Sequence, residues 1–85
     1  MKKFLIVGAG GFIGGHLIKR LLDQGNIIRG VDLKPFDLWF QKFENVDNHS
    51  LDMQEYQNCL KMSEGVDYVI NLACNMGGIG FIENN

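Results

Sequence analysis

Eighty-five residues, 46% of them hydrophobic and 21% charged, make at most one small domain with a modest core. A net charge of −2 supplies no basic footprint for nucleic acid or an anionic membrane, and no run of about 18 apolar residues exists to span a bilayer. A single proline and sustained apolar runs argue against disorder.

Residues 3–7 form a short apolar run that leans towards β structure and ends at glycine, the pattern of a buried parallel strand. The start Met-Lys-Lys resembles the opening of a signal peptide. The apolar run breaks at once into Gly8-Ala9-Gly10-Gly11 with no cleavage pattern, so the expectation is a strand in a cytoplasmic protein. Residues 11–23 carry helical spacing, with Ile13, Leu17 and Leu21 as one stripe and Ile18 and Leu22 widening it. Gln24-Gly25-Asn26 is a helix stop. Residues 27–31 read as a second buried strand closed by Asp32, and the three elements together have the length of one βαβ unit.

Phe36, Trp39, Phe40 and Phe43 stand at i, i+3, i+4 and i+7, which predicts one face of a short helix within residues 33–45. That face either packs on the sheet or a missing segment, or meets a partner or a membrane. A third strand is expected over residues 46–51, ending at Asp52. A helix follows over residues 54–62 with Tyr56 and Leu60 on one face, and Gly65 stops it. Residues 66–72 are a fourth strand, and residues 73–85 are glycine-rich and irregular. The predicted fold class is α/β: a Rossmann-type parallel sheet with flanking helices, incomplete, of about four strands in the order 3-2-1-4.

Eleven glycines are many for this length, and Gly8, Gly11 and Gly14 lie three apart in Gly8-Ala9-Gly10-Gly11-Phe12-Ile13-Gly14. The spacing is G-x-x-G-x-x-G, because Ile13 stands where G-x-G-x-x-G needs a small residue. Glycines here allow a sharp turn off the strand, close approach of backbone to a pyrophosphate, and tight packing of helix on strand. The helix N-terminus offers free N–H groups to the phosphates. Asp32, 18 residues beyond Gly14, stands where a carboxylate reaches the adenosine ribose. No arginine follows in Leu33-Lys34-Pro35, so NAD is the expected cofactor rather than NADP. Cys59 and Cys74 lack metal-ligand spacing and read as thiols in a reducing compartment. His16 and His49 have no partner in the sequence pattern and receive no role.

The glycine turn, Asp32, Asp52-Met53 and Asn71-Leu72-Ala73 together resemble the extended short-chain dehydrogenases/reductases, the NAD-dependent epimerase/dehydratase family. The resemblance covers essentially the whole chain. Asn58-Cys59-Leu60-Lys61, Glu64-Gly65-Val66-Asp67 and Met76-Gly77-Gly78-Ile79-Gly80-Phe81-Ile82 are similar to the family's nucleotide-sugar epimerases. The resemblance implies that Gly8, Gly11 and Gly14 shape the turn while Phe12 and Ile13 give backbone N–H groups to the pyrophosphate of NAD. It implies that Asp32 takes the ribose hydroxyls, that Asp52 and Met53 flank the adenine, and that Leu72, Ala73 and Cys74 line the cofactor cleft. Gly77 and Gly78 match a loop at the sugar nucleotide, GDP-mannose being the implied substrate; a plain turn entering a helix is the alternative reading of that loop.

Cys74 stands where the family usually has alanine, and Asn75 where its mannose epimerases have aspartate. The family's catalytic Tyr-x-x-x-Lys is absent, since Tyr56 is followed four residues on by Leu60 and Tyr68 by Leu72. Family members are several-fold longer. The resemblance therefore implies the N-terminal portion of an NAD-binding domain, without the substrate domain, of a homodimeric parent epimerase. Another nucleotide-sugar epimerase or dehydratase, a GDP-fucose synthase, and a non-catalytic dinucleotide-binding remnant remain alternatives.

Overall fold

Strands alternate with helices along the chain, and the strands form a four-stranded, all-parallel sheet in the order β3-β2-β1-β4. The computed structural model describes residues 1–73. The elements are β1 (Lys3–Val7), α1 (Phe12–Asp23), β2 (Ile27–Asp32), β3 (Asp47–Ser50), α2 (Tyr56–Ser63) and β4 (Tyr68–Asn71). The order and the four strands agree with expectation. The register aligns Val7 with Val31 and with Asn71, and Asp32 with Ser50, so the strands finish along one carboxyl rim.

Side chains alternate across β1, and this divides the core in two. Ile6 and Ile28 pack with Ala9, Ile18, Leu21, Trp39 and Val46 on the α1 face. Leu5, Val7 and Val31 pack with Met62 on the α2 face. Leu5, Ile6, Ile18, Ile28 and Val31 are fully buried, and burial of each such side chain contributes about 1.5–3 kcal/mol. The α1 helix ends in a Schellman motif. Gly25, at φ +86°, donates its N–H to the Leu22 carbonyl, and the Asn26 N–H goes to that of Leu21. Arg29 ties β2 to its surroundings: Nε donates to Asp47 on β3 at 3.0 Å, and Nη1 donates to the carbonyls of Met62 and Glu64 at the end of α2. Burial works to raise the carboxyl pKa of Asp47. The Arg29 hydrogen bond and the neighbouring His49 outweigh it and hold the group below its usual range.

Two expectations need correction. The buried line of α1 is Gly14, Gly15, Ile18 and Leu21, with Leu17 and Leu22 half-buried, while Ile13 is 67% exposed. The first turn of the helix rests on the glycine loop through Gly14 and Gly15, which turns Ile13 outward. Tyr56 and Leu60 share one face of α2 as expected, and it is the outer one, because the helix seats on the sheet through Met62 between Met53 and Val66. The aromatic segment is not a helix. A single 3₁₀ turn, Phe36–Leu38, follows Pro35, and Trp39 then returns to extended backbone at ψ 141°. Only Trp39 of the four aromatic residues is buried, with Phe43 half-buried against the same core.

Gly30, in the middle of β2, has no room for a side chain. A Cβ there lies 2.9 Å from the Cβ of Ala9. Gly30→Val is expected to destabilise the chain by roughly 1–3 kcal/mol through overpacking. Urea unfolding of both proteins checks this; an unchanged midpoint contradicts the packing described.

Candidate dinucleotide-binding site

At the end of β1 the chain leaves the sheet through Gly8, whose φ of +93° favours glycine. The N–H groups of Gly8 and Ala9 both donate to the Val31 carbonyl, at 2.9 and 3.1 Å, and the Gly11 N–H closes the turn on the Gly8 carbonyl at 3.1 Å. Gly14 then sits directly on this turn. A Cβ at Gly14 collides with the Gly8 carbonyl oxygen and comes within 3.1 Å of the Ala9 Cα. The close approach of helix to strand expected from the spacing is therefore present.

The N-terminus of α1 is open. Gly11 at the N-cap supplies no side-chain hydrogen bond, and the first turn holds no acidic residue. The Gly15 N–H is the first to find a carbonyl, that of Gly11 at 3.0 Å. The amides of Phe12, Ile13 and Gly14 precede it at the positive end of the helix dipole, where an anion is stabilised by about 0.3–1 kcal/mol, more when partly buried.

Asp32 stands at the end of β2 beside this turn. Its Oδ2 accepts the Gly10 N–H at 2.9 Å and its Oδ1 the Lys34 N–H at 3.1 Å. A carboxylate has about four acceptor positions, so both oxygens keep a lone pair for hydroxyl donors. Residues 51–53 run alongside, since the Leu51 N–H donates to the Asp32 carbonyl at 3.1 Å. Within that segment Asp52 shapes the entry to α2, its Oδ1 accepting the Gln54 N–H at 2.9 Å. Met53 packs towards Leu5, Val7, Val31 and Met62, and its carbonyl accepts the Cys59 thiol at 2.8 Å. On the other side, the Leu72 N–H donates to the Val7 carbonyl at 2.7 Å. The Ala73 N–H bonds to Asn71 Oδ1 at 3.0 Å. The backbone of Leu72 and Ala73 crosses Gly8, 3.0 Å from where a Cβ would stand. Cys74, Gly77 and Gly78 lie outside the described residues.

Sequence reasoning missed Gly10 and Trp39. The indole lies against Gly10, where a Cβ would be 2.7 Å from the ring, and the Phe40 N–H donates to the Gly10 carbonyl at 2.8 Å. Phe40 also joins Phe12 and His16 in an exposed aromatic group, with ring centroids 4.5–5.6 Å apart. The chain's single tryptophan was the available signal, but its helical spacing with three phenylalanines pointed to a helix face instead. Among the described residues no helix is long and apolar enough to cross a membrane, and no group of three or more side chains is placed to hold a metal ion.

A parallel sheet in this order, with a glycine turn feeding an uncapped helix and an acid closing the next strand, has the architecture of a Rossmann-type fold. The model of the NAD dependent epimerase/dehydratase family matches residues 4–83, and the chain belongs to that family. It is 42% identical over 83 residues to GDP-mannose 3,5-epimerase of Arabidopsis thaliana, covering 98% of this chain and 22% of that protein. It is 44% identical over 80 residues to GDP-mannose 3,5-epimerase 1 of Oryza sativa subsp. japonica, covering 94% of this chain and 21% of that protein. The chain thus spans about a fifth of the length of the curated relatives it matches. Among solved structures, a uronate dehydrogenase mutant from Agrobacterium tumefaciens complexed with NAD superposes with a TM-score of 0.70 at 29% identity, covering 98% of this chain and 29% of that one.

Gly10→Val is expected to push the indole of Trp39 from its contact and expose it to water. Tryptophan emission then shifts to longer wavelength and the melting temperature falls. Unchanged emission contradicts the contact.

Proposed function

We propose that the chain forms the adenosine and pyrophosphate side of the NAD site of a nucleotide-sugar epimerase whose substrate is a GDP-hexose of the GDP-mannose type. The observation that carries this reading is the open N-terminus of α1 set directly on the Gly8–Gly14 turn, with the Asp32 carboxylate beside it. The names of the plant relatives support the sugar nucleotide, and the NAD complex of the structural relative supports the cofactor.

In this scheme Phe12 and Ile13 donate backbone N–H groups to the pyrophosphate, and Gly8, Gly11 and Gly14 keep the approach free of side chains. Asp32 accepts the hydroxyls of the adenosine ribose. Asp52 and Met53 border the adenine through the segment beside Asp32, with Met53 contributing chiefly through its packed position. Leu72 and Ala73 wall the cleft beyond β4, continued by Cys74, and Gly77 and Gly78 meet the sugar nucleotide. When bound, NAD supplies the hydride acceptor and donor for transient oxidation at C4 of the sugar. The family's Tyr-x-x-x-Lys occurs nowhere in the 85 residues, so no acid/base step falls to any of them.

Calorimetric titration of the chain with NAD and with NADP tests the reading. NAD is expected to bind more tightly, because Asp32 accepts hydroxyls through charge-assisted hydrogen bonds worth about 1.5–3 kcal/mol each and repels a 2′-phosphate. Asp32→Ala is expected to remove most of the preference. Equal or tighter binding of NADP to the unaltered chain contradicts the assignment.

A further inference from the structure

The aromatic segment has no part in the scheme above, yet it covers Gly10 at its carbonyl and at its Cα. The Gly10 N–H goes to Asp32 Oδ2 at 2.9 Å, and the Gly10 carbonyl accepts the Phe40 N–H at 2.8 Å. Its Cα faces the five-membered ring of Trp39, so that a Cβ would stand 2.7 Å from Cγ and Cδ1. Trp39 is 8% exposed although Phe36 and Phe40 on either side are 41% and 53% exposed. Its Nε1–H donates to the Lys34 carbonyl at 2.9 Å. The Lys34 N–H in turn donates to Asp32 Oδ1 at 3.1 Å. One indole therefore touches both residues whose amides hold the two oxygens of the Asp32 carboxylate.

We propose that Trp39 is a positioning residue for the adenosine ribose, fixing Gly10 and Lys34 so that their amides set the orientation of the Asp32 carboxylate. The proposal rests on the dinucleotide reading given above. A carboxylate at a strand end is free to rotate about two side-chain bonds. Two N–H donors on separate oxygens define its plane, and a fixed acceptor loses less freedom when it meets two hydroxyls. Without the indole, the Gly10 face is open and the Lys34 carbonyl keeps only the Ser50 hydroxyl, at 3.0 Å, so Lys34 loses its tie to the segment that covers the turn. The pyrophosphate contacts do not depend on this link, because the amides of Phe12 and Ile13 are held by α1 on Gly14 and Gly8. Loss of Trp39 thus acts on the hydroxyl-dependent part of binding.

The test compares ADP-ribose with its analogue lacking the 2′-hydroxyl on the adenosine ribose, titrated against the unaltered chain, Trp39→Phe and Trp39→Ala. The unaltered chain is expected to favour the hydroxyl-bearing ligand by roughly tenfold. In Trp39→Ala that preference falls towards parity, while affinity for the deoxy analogue changes by no more than about threefold. Trp39→Phe keeps an aromatic ring on Gly10 without the Nε1–H, and its preference lies between the two. Full preference retained in Trp39→Ala overturns the proposal. So does an equal weakening of both ligands, which is the mark of a merely structural role. Should Trp39→Ala fail to fold, Trp39→Phe decides: an unchanged preference there overturns the link through Lys34. If the unaltered chain binds neither ligand, the dinucleotide reading itself fails; if it binds both equally, that reading stands and the role of Asp32 and Trp39 falls.

Discussion

The close approach of α1 to the end of β1 governs the rest of the structure. Gly14 rests on the Gly8 carbonyl with no space for a methyl group, and Gly8 itself passes under the backbone of Leu72 and Ala73. These contacts bring the start of the helix, the end of β1 and the segment after β4 to one point on the carboxyl rim. They also fix the direction of the helix axis, so the unbonded amides of its first turn open towards that point. An anion there meets N–H donors and the helix dipole together, at a first helical turn that carries no acidic side chain.

A second constraint acts from the outside of the turn. The 3₁₀ turn after Pro35 brings Trp39 back under the sheet rim, where it completes the α1-side core with Ile6, Ile18, Ile28 and Val46. The same side chain lies on Gly10, and Phe40 with Gln41 lies on Gly15, where a Cβ would come within 3.2 Å of the phenyl ring. Gly10 and Gly15 are thus required by what covers them, Gly8 and Gly14 by what they rest on, and Gly25 and Gly65 by their positive φ at helix ends.

β1 and β2 were legible because each is a short, largely apolar run bounded by a glycine or an acid, whereas β3, Asp47-Asn48-His49-Ser50, has no apolar residue and is marked only by Val46 and Leu51 on either side. The order 3-2-1-4 and the junction of Gly8, Gly14 and Asp32 follow from the same pattern. Residue orientation was less legible. Ile13 and Leu17 have the spacing of one stripe, but the helix meets the loop through glycines, which periodicity of apolar residues does not register. Tyr56 and Leu60 lie on the outer face because Met62 carries the contact of α2, a helix of 8 residues with a single buried side chain. The aromatic segment forms no helix because helical spacing in four residues does not outweigh Pro35 and the hydrogen bonds that Trp39 and Phe40 make to Lys34 and Gly10. The contacts with Gly10 join residues about 30 positions apart and leave no local trace.

The central claim is that the first turn of α1, seated on the glycine loop, holds the pyrophosphate of NAD. Amide resonances of the isotopically labelled chain, followed during titration with NAD, test it most directly. The account predicts that the largest shifts fall on Phe12 and Ile13, with Gly10 and Lys34 responding beside Asp32. Saturable binding that leaves Phe12 and Ile13 unmoved, or no binding at all, would contradict it.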